Sequence, residues 1–385
     1  MTRLARVLVV GGGLAGVRTA ERLRARGYAG ALTLLSAEPH APYDRPPLSK
    51  QVLRAASGSD ADDSTLRSAD ELAQLGVDLI LHDPAVRLDA AARVVVTASG
   101  SKLSYDVLVI ATGASPRRLP RLDGVTLRTI DDARALRARM TAGTSATVVG
   151  AGLIGCEVAA SARSLGVDVD LVDLEPGPMI RVLGPQVAAH VARLHADHGV
   201  RLHLGTRVTR DADGALRTED GSCLRGTVVL EAVGIEPVTG WLADSGLPLG
   251  DGVVCDGDGR AAEGVYAVGD VACWAGTRSE HWTATINHAD HVSAVVLGQP
   301  TPPADPAYWW SDQYDVKIQG IGSPRPSDQV DVLHWGPQRR PLALYARDGS
   351  LTGVVGFSTP VPIVKLRADV AAGTPIADVR ARLQG

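Results

Sequence analysis

The sequence has 385 residues, of which 45% are hydrophobic and 21% carry a charge. These values are those of an ordinary globular protein, and the length allows two or three domains that each bury a core. The formal net charge of −4 gives no reason to expect a nucleic-acid-binding protein.

The N-terminus could be mistaken for a secretory signal peptide, because Arg3 and Arg6 precede an apolar run. That run passes directly into a Gly-x-Gly-x-x-Gly turn and then into a polar helix, so we interpret it as the first strand of a folded domain. The uncharged stretch from Met140 to Cys156 contains Thr, Ser and Gly, which suit a strand and a turn better than a membrane span. We therefore expect a soluble, cytoplasmic protein that does not bind membranes.

The first part of the chain predicts a βαβ unit. Residues 6–10 form an apolar strand, Val17, Ala20 and Leu23 follow at helical spacing, and a second strand covers residues 31–35. The elements predicted next are an exposed polar loop at 55–63, short strands at 78–82 and 93–97, and a buried strand within 105–113.

The second part of the chain repeats this design. It has a strand at residues 146–149, a helix that starts near Gly152, and a further strand at 167–172. The later predicted elements are strands within 228–233 and 264–270, a helix with Ala289, Val292 and Val296 on one face, a Pro-rich boundary at 299–306, and short strands at 316–321, 330–335, 342–347 and 351–356. The last four strands indicate a small α+β domain at the C-terminus.

Each βαβ unit contains a glycine-rich turn between its strand and its helix. The first turn contains Gly11, Gly13 and Gly16 with Leu14 and Ala15, and the second contains Gly150, Gly152 and Gly155 with Leu153 and Ile154. In such a turn the first glycine permits the tight bend, the second lets the backbone approach a pyrophosphate, and the third lets helix and strand pack closely. One turn binds one dinucleotide, so two turns predict two cofactors held face to face, as when electrons pass from a nicotinamide to a flavin.

An acidic residue follows each turn at a distance that suits ribose binding. Glu38 lies 22 residues after Gly16, and the alternative is a surface glutamate with Ser36 nearer the strand end. Asp173 lies 18 residues after Gly155. A carboxylate there repels a 2′-phosphate, which favours NADH over NADPH.

Five stretches of the sequence carry a resemblance to a known family. They are residues 42–50 (Pro-Tyr-Asp-Arg-Pro-Pro-Leu-Ser-Lys), 111–113 (Ala-Thr-Gly), 150–157, 264–270 and 310–314 (Trp-Ser-Asp-Gln-Tyr). In this order they resemble the bacterial FAD-dependent NADH:ferredoxin reductases of oxygenase systems, which include putidaredoxin reductase, rubredoxin reductase and dioxygenase reductase components.

The resemblance implies an α/β fold with two Rossmann-like dinucleotide-binding domains and a small α+β C-terminal domain, in the architecture of glutathione reductase. It implies a discontinuous FAD-binding domain at residues 1–115 and 241–305, an inserted NADH-binding domain at 116–240, and a C-terminal domain at 306–385.

The resemblance also implies roles for individual residues at the FAD. Arg45 and Lys50 would lie along the flavin, and Asp270, next to Gly269, would bind the ribitol hydroxyls. The segment at Trp282 would contact the pyrimidine end of the flavin. The remaining FAD-binding residues would be those of the first turn with Glu38, Ala111, Thr112 and Gly113.

Two further roles concern the nicotinamide. By the same resemblance Glu157 would pair with Lys50 and orient the nicotinamide, and these two residues are the predicted catalytic pair. Gly234 matches a turn where the backbone passes close to the nicotinamide, although Glu231 departs from the family pattern.

Some features stay open at the level of sequence. We interpret His288 as a packed structural residue. Trp309 and Trp310 could equally well pack in the core or lie on the route of the electrons to the partner. A basic group could be a docking face for an acidic ferredoxin or ordinary solvated surface. The group consists of Arg117, Arg118, Arg121, Arg339 and Arg340.

The predicted function is the transfer of hydride from NADH to FAD, followed by single-electron transfer to a ferredoxin-type iron–sulfur protein that serves an oxygenase. One alternative is a redox sensor that changes its partners when NADH reduces its flavin. Another alternative is a disulfide reductase, NADH oxidase or peroxidase. A disulfide reductase or peroxidase needs a reactive cysteine near the flavin, and residues 45–50 contain no cysteine. The cysteines, at 156, 223, 255 and 273, have no C-x-x-C spacing, so we predict neither a redox dithiol nor a metal site.

Overall fold

The computed structural model describes residues 6–55, 64–211 and 214–384. Most of the predicted loop at 55–63 lies outside these ranges. The chain forms two compact units. Unit 1 comprises Met1–Asp44, Ser64–Ser115 and Ile235–Asp305, and unit 2 comprises Arg45–Asp63, Pro116–Gly234 and Pro306–Gly385. The three-domain boundaries expected from the sequence stay a prediction.

The helices and strands are as follows, in chain order. The helices are α1 (Leu14–Ala25), α2 (Gln51–Arg54), α3 (Ala69–Gln74), α4 (Ile130–Arg139), α5 (Leu153–Ser164), α6 (Ile180–Asp197), α7 (Trp282–Val296), α8 (Pro360–Lys365), α9 (Arg367–Ala372) and α10 (Ile376–Gln384). The strands are β1 (Arg6–Val10), β2 (Ala31–Leu35), β3 (Val77–Ile80), β4 (Ala85–Asp89), β5 (Val94–Thr97), β6 (Lys102–Ser104), β7 (Val107–Ile110), β8 (Ala114–Pro116), β9 (Ser145–Val149), β10 (Asp168–Asp173), β11 (Arg201–Leu204), β12 (Val208–Arg210), β13 (Leu216–Thr218), β14 (Cys223–Leu224), β15 (Val228–Glu231), β16 (Ile235–Pro237), β17 (Leu249–Gly250), β18 (Gly252–Cys255), β19 (Arg260–Ala262), β20 (Val265–Ala267), β21 (Ala272–Trp274), β22 (Thr277–Arg278), β23 (Tyr308–Gln313), β24 (Val316–Gly322), β25 (Gln329–Trp335), β26 (Arg340–Arg347) and β27 (Ser350–Phe357).

Unit 1 is built on a six-stranded sheet in the order β19-β20-β7-β1-β2-β3. All neighbours except β19 and β20 are parallel. Val7 and Val9 of β1 pack against α1 and α7 on one face, and Leu8 and Val10 belong to a second core on the other face. A parallel strand that is buried on both faces needs an uninterrupted apolar run, which is why this strand was predictable from the sequence.

The helix predicted in this part of the chain is confirmed as α1, with its apolar residues Val17, Ala20 and Leu23 fully buried. The predicted strand at residues 31–35 is confirmed as β2. Because β1 lies between β2 and β7, the carboxyl ends of three neighbouring parallel strands meet at one edge of the sheet.

Unit 2 contains a four-stranded parallel sheet in the order β11-β10-β9-β15. As in unit 1, the strand before the glycine turn is internal, and its residue Val148 is fully buried. Helix α6 was not predicted from the sequence. It contains Pro185 and bends at Gly184, whose φ of 70° breaks the helical path.

The C-terminal part of unit 2 is a five-stranded antiparallel sheet in the order β23-β24-β27-β26-β25, followed by α8, α9 and α10. The four strands predicted here are confirmed as β24 to β27, and β23 was missed. Trp309 of β23 is buried over Gly320 of the neighbouring strand, where a Cβ would stand 2.2 Å from the indole ring. For Trp309 the structure therefore favours core packing.

Each helix in the described part of the chain is too short or too polar to cross a bilayer.

Candidate functional site

The glycine turn of unit 1 has almost no room for side chains. Gly11 has a φ of 126°, and a Cβ on it would stand 2.1 Å from the carbonyl oxygen of Ala111. A Cβ on Gly16 would stand 1.9 Å from the carbonyl oxygen of Gly11. Around Gly13, by contrast, nothing lies within 4 Å of the position of a Cβ.

Gly13 is the N-cap of α1, and no side chain caps this end of the helix. The first backbone N–H groups of any helix have no intrahelical acceptor, and here no N-cap side chain satisfies them and the space beside Gly13 is open. Such an end attracts an anion. The turn consequently fits the diphosphate of a dinucleotide.

The carboxyl ends of the neighbouring strands bring further predicted residues to the same edge of unit 1. Ala111, Thr112 and Gly113 follow β7, and the Thr112 hydroxyl donates to the carbonyl oxygen of Val238 at 2.9 Å. After β20, Gly269 has a φ of 73° and packs so closely against α1 that a Cβ would stand 2.9 Å from the Cβ of Ala15. The partly buried Asp270 thus lies next to the first turn of α1.

Trp282 is the first residue of α7, whose N-terminus also has no side-chain cap. Thr285, in the first turn of α7, lies beside the position that a Cβ of Gly269 would occupy. Two uncapped helix ends and one carboxylate therefore meet at the edge of a single sheet.

That Glu38 binds a ribose stays a prediction. The carboxylate of Glu38 accepts a hydrogen bond from the hydroxyl of Tyr43. Ser36, which directly follows β2, is buried against Gly12, where a Cβ would stand 2.5 Å from the serine Oγ. Ser36 therefore shapes the turn, and Glu38 is the acidic side chain that follows it.

The glycine turn of unit 2 repeats this geometry closely. A Cβ on Gly150 would stand 2.3 Å from the carbonyl oxygen of Ala232, and one on Gly155 would stand 1.8 Å from that of Gly150. Gly152 is the uncapped N-cap of α5, and nothing lies within 4 Å of its Cβ position. The predicted residues Leu153 and Ile154 form the start of α5.

Asp173 ends β10 and is tied into this turn. One of its oxygens accepts the N–H of Ala151 at 2.5 Å, and the other accepts the N–H of Glu175 at 2.8 Å. The carboxylate of Glu175 pairs with Arg181 at 2.8 Å. The arginine nearest to the strand end in sequence is therefore neutralised by an acidic partner.

Lys50 and Glu157, the predicted catalytic pair, form an ion pair within unit 2. Lys50 Nζ lies 2.7 Å from Glu157 Oε2, and both side chains are at least 94% buried, with exposures of 6% and 2%. Pro46 and Pro47 start a short 3-10 turn that places Lys50 at its end, where Nζ also donates to the carbonyl oxygen of Pro46 at 3.0 Å.

Two serines that sequence reasoning missed complete the coordination of Glu157. The Ser49 hydroxyl donates to Oε2 at 2.5 Å, and the Ser311 hydroxyl donates to Oε1 at 2.8 Å. A buried carboxylate persists as a charged group only when its lone pairs are satisfied in this way. Ser311 lies in the Trp-Ser-Asp-Gln-Tyr segment, and the placement of this segment on a strand was the missing signal.

The other predicted residues of unit 2 are more dispersed. Arg45 donates to the carbonyl oxygen of Arg128. Gly234 has a φ of 103°, with nothing within 4 Å of a Cβ position. Glu231 is buried and accepts the N–H groups of Leu119 and Gly124 at 2.5 and 2.8 Å, so it stabilises the loop that follows residue 118.

The aromatic residues give two local results. His288 stacks on Trp274 with ring centroids 3.9 Å apart, as expected for a packed structural residue, and burial lowers its pKa to about 4. Trp310 stacks on Tyr308 at 5.8 Å.

The thiol of Cys156, next to Glu157, is fully buried and burial raises its pKa, which makes it a poor nucleophile.

The structure thus brings together the predicted residues of the first turn, β7, β20 and α7 in unit 1. In unit 2 it brings together the second turn with Asp173, and Lys50 with Glu157. Arg45 and Lys50 belong to unit 2, and their expected place along the flavin stays a prediction.

Comparison with known proteins identifies the family of the chain. Residues 5–289 match the family described as pyridine nucleotide-disulphide oxidoreductase, and residues 308–382 match the reductase C-terminal domain. The benzene 1,2-dioxygenase system ferredoxin–NAD(+) reductase subunit of Pseudomonas putida is 37% identical over 82% of this chain and 80% of that protein. Rhodocoxin reductase of Rhodococcus erythropolis is 35% identical over 97% of this chain and 91% of that protein.

A solved structure of the covalent putidaredoxin reductase–putidaredoxin complex is similar with a TM-score of 0.90 and 28% identity. It covers 96% of this chain and 94% of that one. The predicted family and fold class are confirmed by these matches. The chain belongs to the pyridine nucleotide-disulphide oxidoreductase family, and it is an oxidoreductase whose cofactors are FAD and NAD(H).

Proposed function

We propose that this protein is an NADH-dependent reductase that delivers electrons, one at a time, to a ferredoxin-type iron–sulfur protein serving an oxygenase. The observation that carries the proposal is the pair of glycine turns in one chain, in which a Cβ on Gly16 or Gly155 would stand only 1.9 Å or 1.8 Å from the carbonyl oxygen of the turn's first glycine. Two turns of this kind provide for two dinucleotides. Similar proteins include reductases that are named for ferredoxin and for rubredoxin.

We assign FAD to unit 1. Gly11, Gly13 and Gly16 leave room for the diphosphate at the start of α1, and the adjoining residues are Leu14 and Ala15. Asp270 supplies a carboxylate for hydroxyl groups beside that helix, and the uncapped N-terminus at Trp282 supplies N–H donors. Glu38 would bind the adenosine ribose. When bound, FAD accepts a hydride and releases electrons singly, which couples a two-electron donor to a one-electron acceptor.

We assign NADH to unit 2, at Gly150, Gly152 and Gly155 with the adjoining Leu153 and Ile154. Asp173 and Glu175 place two carboxylates at the end of β10, which disfavours a 2′-phosphate. The open backbone at Gly234 would allow the nicotinamide end to approach.

We further propose that Lys50 and Glu157 serve the hydride transfer. The carboxylate keeps the buried ammonium group in one place, and a fixed cation favours the electron-rich form of a flavin. No side chain has to act as a nucleophile.

Because Cys156 is buried and protonated, we do not propose disulfide chemistry at this pair.

Arg45 would lie along the flavin together with Lys50. Because NADH is regenerated in the cytoplasm, we propose that the protein works there.

The test is steady-state reduction of cytochrome c by NADH, with and without an added ferredoxin. We expect turnover to depend on the ferredoxin. Slow flavin reduction without ferredoxin-dependent turnover would instead support the redox-sensor alternative, and peroxide-dependent NADH consumption would support a peroxidase.

A further inference from the structure

A chain of hydrogen bonds runs through unit 2 from Tyr314 to Glu157. The Tyr314 hydroxyl lies 2.9 Å from His195 Nδ1, and His195 Nε2 lies 3.0 Å from Gln313 Oε1. Gln313 Nε2 lies 3.1 Å from Ser311 Oγ, which in turn lies 2.8 Å from Glu157 Oε1. The chain therefore joins the buried ion pair to a residue that is only half-buried.

The register of β23 explains why this chain exists. Side chains alternate between the two faces of a strand, so Ser311 and Gln313 point the same way, and both are completely buried. Asp312, on the opposite face, pairs with Lys317 at 2.7 Å. His195 reaches the buried face from α6, which packs against it.

The polarity of the chain is fixed by its end at Glu157. An ionised carboxylate can only accept, so Ser311 must donate its hydroxyl proton to it. Ser311 then receives a hydrogen bond from the amide nitrogen of Gln313, and the amide oxygen of Gln313 must face His195. An amide oxygen needs a donor.

His195 Nε2 must therefore carry a proton. Burial lowers the pKa of His195 to about 4, so the ring is neutral at pH 7 and has a single proton. Nδ1 is then an acceptor, and it takes the hydroxyl proton of Tyr314. All four hydrogen bonds point toward Glu157, and only one arrangement of protons satisfies every partner.

We propose that His195 and Tyr314 are positioning residues for Glu157. They keep the amide of Gln313 in one orientation, which keeps the hydroxyl of Ser311 directed at Oε1. Since Ser49 and Lys50 occupy Oε2, the carboxylate is held at both oxygens and cannot rotate away from the lysine. The functional consequence of this positioning rests on the proposed role of the Lys50–Glu157 pair in hydride transfer.

The direct test is the nitrogen-15 imidazole spectrum of the flavin-loaded protein at pH 7. We expect His195 to be neutral, with the proton on Nε2 and an unprotonated Nδ1. Tyr314→Phe removes the donor to Nδ1 but leaves the Gln313 amide oxygen facing Nε2, so the tautomer should persist while the Nδ1 resonance shifts because it has lost its hydrogen bond. A ring protonated on Nδ1 in the wild type, or an Nδ1 resonance that does not move in Tyr314→Phe, would overturn the proposal.

A pair of substitutions at His195 tests the consequence for the site. His195→Gln keeps an N–H donor toward Gln313, whereas His195→Leu removes it. With one hydrogen bond to the chain lost, His195→Leu should slow flavin reduction at saturating NADH by about three- to tenfold and leave KM little changed. His195→Leu should also shift the visible absorption band of the flavin. His195→Gln should keep the wild-type rate of flavin reduction and the wild-type absorption band. Equal behaviour of the two variants would contradict the proposal.

His198 provides a matched control. Its ring stacks on Tyr314 at 3.6 Å, but its Nδ1 bonds to the carbonyl oxygen of Leu194 and takes no part in the chain. His198→Gln should leave the tautomer of His195 and the rate of flavin reduction unchanged. The tautomer is read without electron transfer, so a wild-type flavin that NADH does not reduce would refute the proposed function and leave the tautomer result standing.

Discussion

Lys50 Nζ lies 2.7 Å from Glu157 Oε2, and the two side chains form a buried ion pair in unit 2. Glu157→Gln would leave the ammonium group in the interior without its counter-charge. Loss of one partner of a buried pair destabilises a protein by roughly 3–5 kcal/mol. We therefore expect a loss of this size in urea unfolding, together with slower flavin reduction.

The control is Glu263→Gln at an exposed pair. Arg93 and Glu263 lie 3.1 Å apart, and the glutamate side chain is 94% exposed. Exposed pairs contribute about 0–1 kcal/mol, so unfolding should hardly change. If Glu157→Gln lowered the free energy of unfolding as little as this control does, the Lys50–Glu157 pair would not stabilise the protein more than an exposed pair.

Substitutions in the two glycine turns should weaken the binding of different cofactors. Gly16→Ala places a Cβ 1.9 Å from the Gly11 carbonyl oxygen, and we expect a protein that purifies without flavin. Gly155→Ala makes the equivalent clash at 1.8 Å, and we expect it to keep its flavin but to bind NADH at least tenfold more weakly. The measurements are flavin content per chain and NADH titration.

Gly240→Ala is the control for these substitutions, because nothing lies within 4 Å of its Cβ position. It should keep both cofactors. Loss of flavin in Gly155→Ala, with NADH binding intact, would reverse our assignment of the turns.

Glu175 should contribute to the preference for NADH over NADPH. Its carboxylate pairs with Arg181 at 2.8 Å. Glu175→Gln removes a negative charge near the strand end and frees an arginine for a 2′-phosphate, so the ratio of kcat/KM for NADH over NADPH should fall several-fold. Adding Arg181→Gln should restore the ratio. An unchanged ratio in Glu175→Gln would place the 2′-position elsewhere.

How far the sequence predicts this structure depends on the segment. The βαβ units were predictable because β1 and β9 are buried on both faces and are followed by glycine turns whose positive φ and close packing disfavour side chains. Helix α6 was missed because Gly184 and Pro185 interrupt its pattern, although tertiary packing keeps its two parts together. The strand β23 was missed because two of its three inward residues, Ser311 and Gln313, are polar.

The candidate site was predictable only in part. The pairing of Lys50 with Glu157 came from the family resemblance, since 107 residues separate them and no spacing rule links them. The partners Ser49, Ser311 and His195 could not be predicted, because their contacts arise from the tertiary packing of separate segments. Local sequence says nothing of such contacts.

Buried histidines should make the protein sensitive to mild acid. Burial lowers the pKa of His195 and of His288 to about 4, from an ordinary value of 6.5. Between these values the unfolded chain binds more protons than the folded one, so stability is complete above pH 6.5 and falls as the pH is lowered toward 4. The loss is at most about 3.5 kcal/mol for each histidine, since one pKa unit corresponds to about 1.4 kcal/mol.

His288→Phe should remove part of this loss. Phenylalanine can keep the stack on Trp274, and the Nδ1 that it eliminates is buried without a hydrogen-bond partner. Urea unfolding at pH 7 and pH 5 measures the effect, and the variant should be more stable than the wild type at pH 5. A parallel pH dependence in both proteins would contradict the assignment.

The cysteines should differ in reactivity. Cys223 is exposed, whereas Cys156, Cys255 and Cys273 are buried. Burial raises the pKa of Cys255 to about 12. Iodoacetamide at neutral pH should therefore modify Cys223 alone, with no loss of flavin reduction. Mass spectrometry identifies the site, and inactivation that follows modification of Cys156 would revive a thiol-based mechanism.

The most direct test of the central claim, that one chain holds FAD and is reduced by NADH, is an anaerobic titration of the purified yellow protein with NADH. We predict that one equivalent of NADH per chain bleaches the visible absorption of the flavin. A protein that purifies without flavin, or a flavin that stays oxidised after NADH has bound, would contradict the account.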